Sequence, residues 1–209
     1  MNTSDCRAHT LDLFTSWMLA ANPSLPLLEP SEELRPKTSV EVASRAIAAG
    51  YVAAASFGAP IPEIRADLER YSLWSFLGQD ERAFLTEARP SEHSRAMNGW
   101  LIESIQFLAW TLGYVSLDHF APCEDSLASH FLKPGVDPAH FIAEARLRDL
   151  SEIIREADTL YMLHWRAVEN QVRGLGDGRV ELPMVRFRRH AADWVIGVAD
   201  NWEDVPLDT

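Results

Sequence analysis

The chain has 209 residues and carries 31 acidic against 19 basic side chains, a formal net charge of −12 at pH 7. Such a surface repels phosphate backbones and anionic headgroups, so neither nucleic acid nor membrane is expected as a partner. A hydrophobic fraction of 47%, with seven Trp and nine Phe, is enough for a packed core and excludes a disordered chain.

Residues 1–38 read as an N-terminal arm, with one short helix over 11–20 and then a connector. Pro23, Pro26, Pro30 and Pro36 forbid continuous helix in that connector. The apolar run that starts at Leu11 is interrupted by Asp12 and makes a poor signal peptide. No stretch approaches the roughly 18 apolar residues of a membrane span, so a cytoplasmic location is expected.

Residues 39–209 read as the helical domain. Thr38 and Glu41 form a capping-box pattern, where each side chain can satisfy the other's backbone amide. The helix they open runs to about Phe57 and ends near Gly58 and Pro60. Pro62 suits the first turn of the next helix, which reaches about Tyr71. Asp80 is placed to cap a short helix, ERAFLTEA, stopped by Pro90. Ser91 leads into a longer helix terminated by Gly113. Asp137-Pro138 pairs an N-cap with proline at the first helical position, and helix continues with a kink to about Arg173. Gly174, Gly176 and Gly178 make a turn. Residues 179–182 are the one candidate strand, so a short β-hairpin near 175–183 is the expected exception to the helical pattern. Pro183 starts a last helix to about Ala199, followed by the irregular tail DNWEDVPLDT. The fold class is all-α, a single-domain multi-helix bundle.

Placing residues at about 100° per position locates the charges. In 147–168 one apolar arc holds Leu147, Leu150, Ile153, Ile154, Ala157, Leu160, Tyr161 and Val168, with His164 in its middle. Arg148, Glu152 and Arg155 lie opposite and read as a solvated face. The segment WLIESIQFLAWTL is apolar almost all round, and Glu103 sits on it between Phe107 and Trp110. Arg45 is the exception on an Ala-rich apolar helix. Arg188 falls inside the apolar arc of the last helix, whereas Arg186, Arg189, His190 and Asp193 point the other way. A buried carboxylate costs several kcal/mol unless it is paired. Glu103 is therefore expected to pair with Arg188, Arg45 or both, with His164 and Tyr161 nearby. Arg45, Glu103, Tyr161, His164 and Arg188 form the candidate polar core, read either as a structural ion-pair cluster or as a ligand-binding site.

No catalytic residue is assigned by motif. There is no Glu-x-x-His pair for a di-iron bundle, and Cys6 and Cys123 lack any zinc spacing. No Gly-x-Ser-x-Gly elbow occurs, and GLGDG lacks the Lys-Ser/Thr of a phosphate loop. Neither metal nor cofactor is expected.

WLIESIQFLAWTLG, RLRDLSEIIREADTLYMLHW, FRRHAADWV and NWEDVPLDT, in that order, resemble the domain-of-unknown-function family 4272 over about residues 34–209. Trp100, Glu103, Trp110, Gly113, Arg148, Asp158, His164, Trp165, Arg188, Trp194, Trp202 and Asp204 match its pattern, while Leu101 and Glu203 depart from it. The resemblance implies similar bacterial proteins, with no catalytic residue or cofactor to carry over.

Two functions follow as expectations. The first is a non-enzymatic acidic interaction domain that binds a basic protein partner or a second copy of itself as a homodimer. The alternative is an enzyme or small-molecule-binding protein with an acid–base site between helices, built on Glu103, His164, Tyr161 and Arg188.

Overall fold

The computed structural model describes residues 3–131, 136–175 and 178–208. In chain order the helices are α1 (Thr3–Ser16), α2 (Ser39–Ser56), α3 (Ile61–Arg70), α4 (Gln79–Thr86) and α5 (Glu92–Gly99). Then come α6 (Leu101–Thr111), α7 (Leu127–Phe131), α8 (Ala139–Glu144), α9 (Leu150–Arg173) and α10 (Leu182–Ile196). Single 3-10 turns occur at Trp74–Phe76 and Trp202–Asp204. The fold is all-α, with no strand among the described residues. No helix of the described residues is long and apolar enough to cross a membrane.

Local chemistry sets several boundaries as expected. The Thr38 hydroxyl accepts from Glu41 N at 3.2 Å and the Glu41 carboxylate accepts from Thr38 N at 2.8 Å, completing the capping box. Ser91 Oγ caps α5 by accepting from Ser94 N at 3.0 Å. Other boundaries differ. The N-terminal helix begins at Thr3, not near residue 11, and ends at Ser16. The helix expected from Ser91 to Gly113 is two helices that meet at Trp100. The kinked helix expected from Asp137 is also two. Asp149 Oδ1 captures Ser151 N at 2.8 Å and starts α9 afresh as its N-cap. The hairpin is not formed in the described part of 175–183: residues 178–181 are irregular and α10 begins at Leu182, while 176–177 lie outside the described residues. The last helix stops at Ile196, because Gly197 turns left-handed at φ 85°. A Cβ there would lie 2.1 Å from the Arg35 carbonyl oxygen, so only glycine fits this crossing.

Contacts divide the chain into two compact units, Met1–Lys37 with Asp118–Ala121 and Arg148–Thr209, and Thr38–Leu117 with Pro122–Leu147. In the first, α9 packs against α10 and α1 packs on α9. Ile153, Ala157, Leu160 and Leu163 form the buried stripe of α9. Full burial of the Ile and Leu side chains stabilises by about 1.5–3 kcal/mol each. Lys37 ties the connector to the end of α10, its N–H donating to Val195 O at 2.9 Å and its Nζ to Asp200 O at 2.8 Å. Trp202 closes the tail against Trp194, their rings 5.5 Å apart.

In the second unit α2 is the hub, meeting α3, α5, α6 and α8. Its alanines at 43, 46, 48, 49, 53 and 55 are all buried, and such small side chains let neighbouring helices approach from several directions. The segment α6 buries every residue except Ile102.

Candidate functional site

Four of the five polar residues singled out in the sequence are interior, with fractional exposures of 1% for Arg45, 1% for Glu103, 3% for His164 and 0% for Arg188. Tyr161 is half-buried. Arg45 and Glu103 belong to the second unit; Tyr161, His164 and Arg188 belong to the first.

Arg45 directs its fork at Glu81, with Nη1 to Oε2 at 2.7 Å and Nη2 to Oε1 at 2.5 Å. Its Nη1 also donates to Phe76 O at 3.0 Å. Glu81 accepts from Gly78 N at 2.9 Å as well, so one carboxylate both starts α4 and anchors it to α2. Glu81 opens the expected helix ERAFLTEA, and nothing in that segment marks it as the partner of Arg45. Glu103 Oε1 accepts from Cys123 N at 2.9 Å. One turn along, Gln106 donates to Ser116 O at 2.8 Å and accepts from Glu124 N at 3.2 Å. The polar positions of α6 thus hold the chain that follows it.

In the first unit Arg188 clamps the strap 118–121, donating to Asp118 O at 2.5 Å and to Ala121 O at 2.9 Å. Arg189 and Asp193 do not point outward as the helical wheel implied. Their exposures are 6% and 3%, because α10 is covered on several sides. The strap lies over Arg188, the chain end over Arg189, Trp202 over His190 and Lys37 over Val195. Arg189 joins His164 to this layer. Its Nη1 donates to His164 Nδ1 at 2.8 Å and to Asp208 O at 3.0 Å, its Nε donates to Asp193 Oδ2 at 3.1 Å, and its guanidinium lies 4.4 Å from the Tyr161 ring centre. Burial, with the charges of Arg189 and Arg186, holds His164 down at about 4. The imidazole is neutral and accepts through Nδ1. Burial pushes the Asp193 carboxyl up to about 7 against the pull of Arg189. Its Oδ1 is buried without a hydrogen-bond partner among the described residues.

The second unit also contains a cavity of about 570 Å³, formed from α2, α3, α8 and the turns beside them. Ile47, Ala54, Ile64 and Pro138 give it apolar walls. Tyr114 and Phe141 line it as a stacked pair, with ring centres 5.2 Å apart and planes 26° apart. Four acids surround it: Glu63 and Asp67 one turn apart on α3, Asp137 before α8 and Glu144 at its end. Its described lining includes His130 and His140 and neither Lys nor Arg. Asp67 also lies 3.5 Å from Arg70. Tyr51 is 8% exposed, and burial, followed by the charge of Asp67, pushes its phenol up to about 12, so it remains a neutral hydroxyl. This cavity went unread in the sequence, although Glu63/Asp67 and His140/Glu144 each repeat at i,i+4. No group of three or more His, Cys, Asp or Glu is arranged to hold a metal among the described residues.

Fold and site together define an all-helical protein with interior ion pairs in both units and an acid-rimmed cavity in one. The chain belongs to the family described as Domain of unknown function (DUF4272), which matches residues 9–205. The match reaches back beyond residue 34 to take in most of α1 and the connector. No curated protein and no solved structure matches the chain.

Proposed function

We propose that this is a non-catalytic interaction protein whose second unit binds a basic segment of a partner protein in the acid-rimmed cavity. The observation that carries this reading is the lining itself: apolar and aromatic walls, four carboxylates and no described Lys or Arg. An apolar recess with a few placed charges is the usual anatomy of a binding site. The net charge of −12 adds long-range attraction for a cationic partner. A reducing bacterial cytoplasm suits Cys6 and Cys123, which form no disulfide.

An acid–base site around His164 and Tyr161 is less well supported. A general base works best when its pKa lies near the operating pH, and His164 is held at about 4 and engaged by Arg189.

Calorimetry with a short basic, aromatic-containing peptide and an acidic counterpart of the same length tests the proposal. The basic peptide binds and the acidic one does not. Exposed rim charges contribute about 0.2–1 kcal/mol each, so Glu63→Gln with Glu144→Gln weakens binding by roughly two- to thirtyfold at unchanged melting temperature. Equal affinity for the two peptides counts against the proposal. A concentration-dependent dimer in light scattering that excludes the peptide replaces the partner by a second copy of the chain.

A further inference from the structure

Resting on that reading of the cavity, we infer that its anchor is specifically an arginine side chain, whose guanidinium seats against the Tyr114–Phe141 pair between the α3 and α8 carboxylates. Three features of the site favour a cation of this kind. The acids come from two walls, Glu63 and Asp67 on α3 and Asp137 and Glu144 around α8, and the five donors of a guanidinium fork can serve carboxylates on more than one side. The walls between them are apolar, which penalises a strongly hydrated ammonium more than a weakly hydrated guanidinium. The Tyr114–Phe141 pair lines the recess beside the acids, and guanidinium stacks on aromatic rings while also bonding carboxylates through its fork. The recess of about 570 Å³ leaves room for the methylene stem and the residues flanking it. Tyr51, kept as a neutral hydroxyl on the α2 wall, completes the lining without adding charge.

The test uses the full chain and two peptides identical except that every Arg in one is Lys in the other. Binding is followed by calorimetry and by the intrinsic fluorescence of the protein. The Arg peptide binds about tenfold more tightly than the Lys peptide. Tyr114→Leu, a change at a 38% exposed position, removes most of that preference while leaving residual binding of both. Circular dichroism confirms that the variant is folded, and Tyr114→Phe, which keeps the ring, restores the preference. Equal affinity of the two peptides for the parent chain overturns the arginine anchor and leaves the basic-partner reading standing. Binding of neither peptide overturns both. Retention of the full preference in folded Tyr114→Leu overturns the placement against the aromatic pair.

Discussion

At the scale of single residues, the interior of the first unit holds two groups whose titrations oppose each other. His164 is depressed to about 4 from an ordinary 6.5, so between those values the unfolded chain binds a proton that the folded chain does not. Its contribution is therefore full above pH 6.5 and is lost as pH falls to 4, by on the order of 3 kcal/mol at about 1.36 kcal/mol per unit. Asp193 is raised from 3.8 to about 7, so there the folded chain retains a proton that the unfolded chain has released. Its contribution is present below 3.8 and is lost as pH rises through 7. The two slopes nearly cancel between pH 4 and 6.5. Replacement of one partner exposes the other: Asp193→Asn should lose stability on acidification from pH 6.5 to 4, and His164→Gln should lose stability on raising pH from 4 to 7. Urea titrations at several pH values measure both, and a flat profile in both variants would contradict the assignment.

At the scale of elements, legibility depended on how local the signal was. Thr38 with Glu41 and Ser91 with Ser94 cap helices through side chains three residues away, and both starts could be read directly. The start of α1 could not. Its buried face is Cys6, Arg7, Thr10 and Phe14, which has helical spacing but half of whose members are polar. The reason becomes visible only across the fold, where Arg7 Nε donates to Asp158 Oδ2 at 3.1 Å and Nη2 to Oδ1 at 2.8 Å, and Thr10 Oγ1 donates to Oδ2 at 2.6 Å. Arg7 also holds the connector through Leu25 O and Pro26 O, at 2.7 and 2.9 Å. A wheel that assumes one buried face likewise misplaced Arg189 and Asp193, because α10 has several. Arg45, Glu103, His164 and Arg188 were found because each interrupts an otherwise apolar arc. The partners Glu81 and Asp193 were missed because nothing in their own helices marks them. Arg7→Leu leaves Asp158 as a buried charge without its cation, a loss of roughly 3 kcal/mol. If α1 opens locally, the opened population rises about a hundredfold. Limited proteolysis should then cut the 19–36 connector far faster than in the parent chain, whereas an unchanged rate would show that α1 is held by other contacts.

At the scale of the whole molecule, a charge of −12 acts at long range, while the cavity acts only on contact. Salt separates the two. The Debye length falls from about 30 Å at 0.01 M to about 10 Å at 0.1 M. Association of a basic peptide should therefore slow steeply over that range, and its dissociation should change little. Stopped-flow fluorescence reads the two rates separately. A dissociation rate that carries most of the salt effect would place the binding charge at the contact and not in the surrounding field.

The partition of the chain also sets a timetable for its synthesis. Residues 38–147, the second unit apart from the strap, emerge from the ribosome before any of α9 exists, whereas α1 is made before all of them and meets its partner after them. At about 5–20 residues per second the roughly 150 residues from Arg7 to Asp158 take about 7–30 s, during which Arg7 and Thr10 lack the carboxylate they hold in the folded chain. The segment that becomes α1 thus waits without its long-range partner until α9 is translated, and the first unit can form only after α10 has been made.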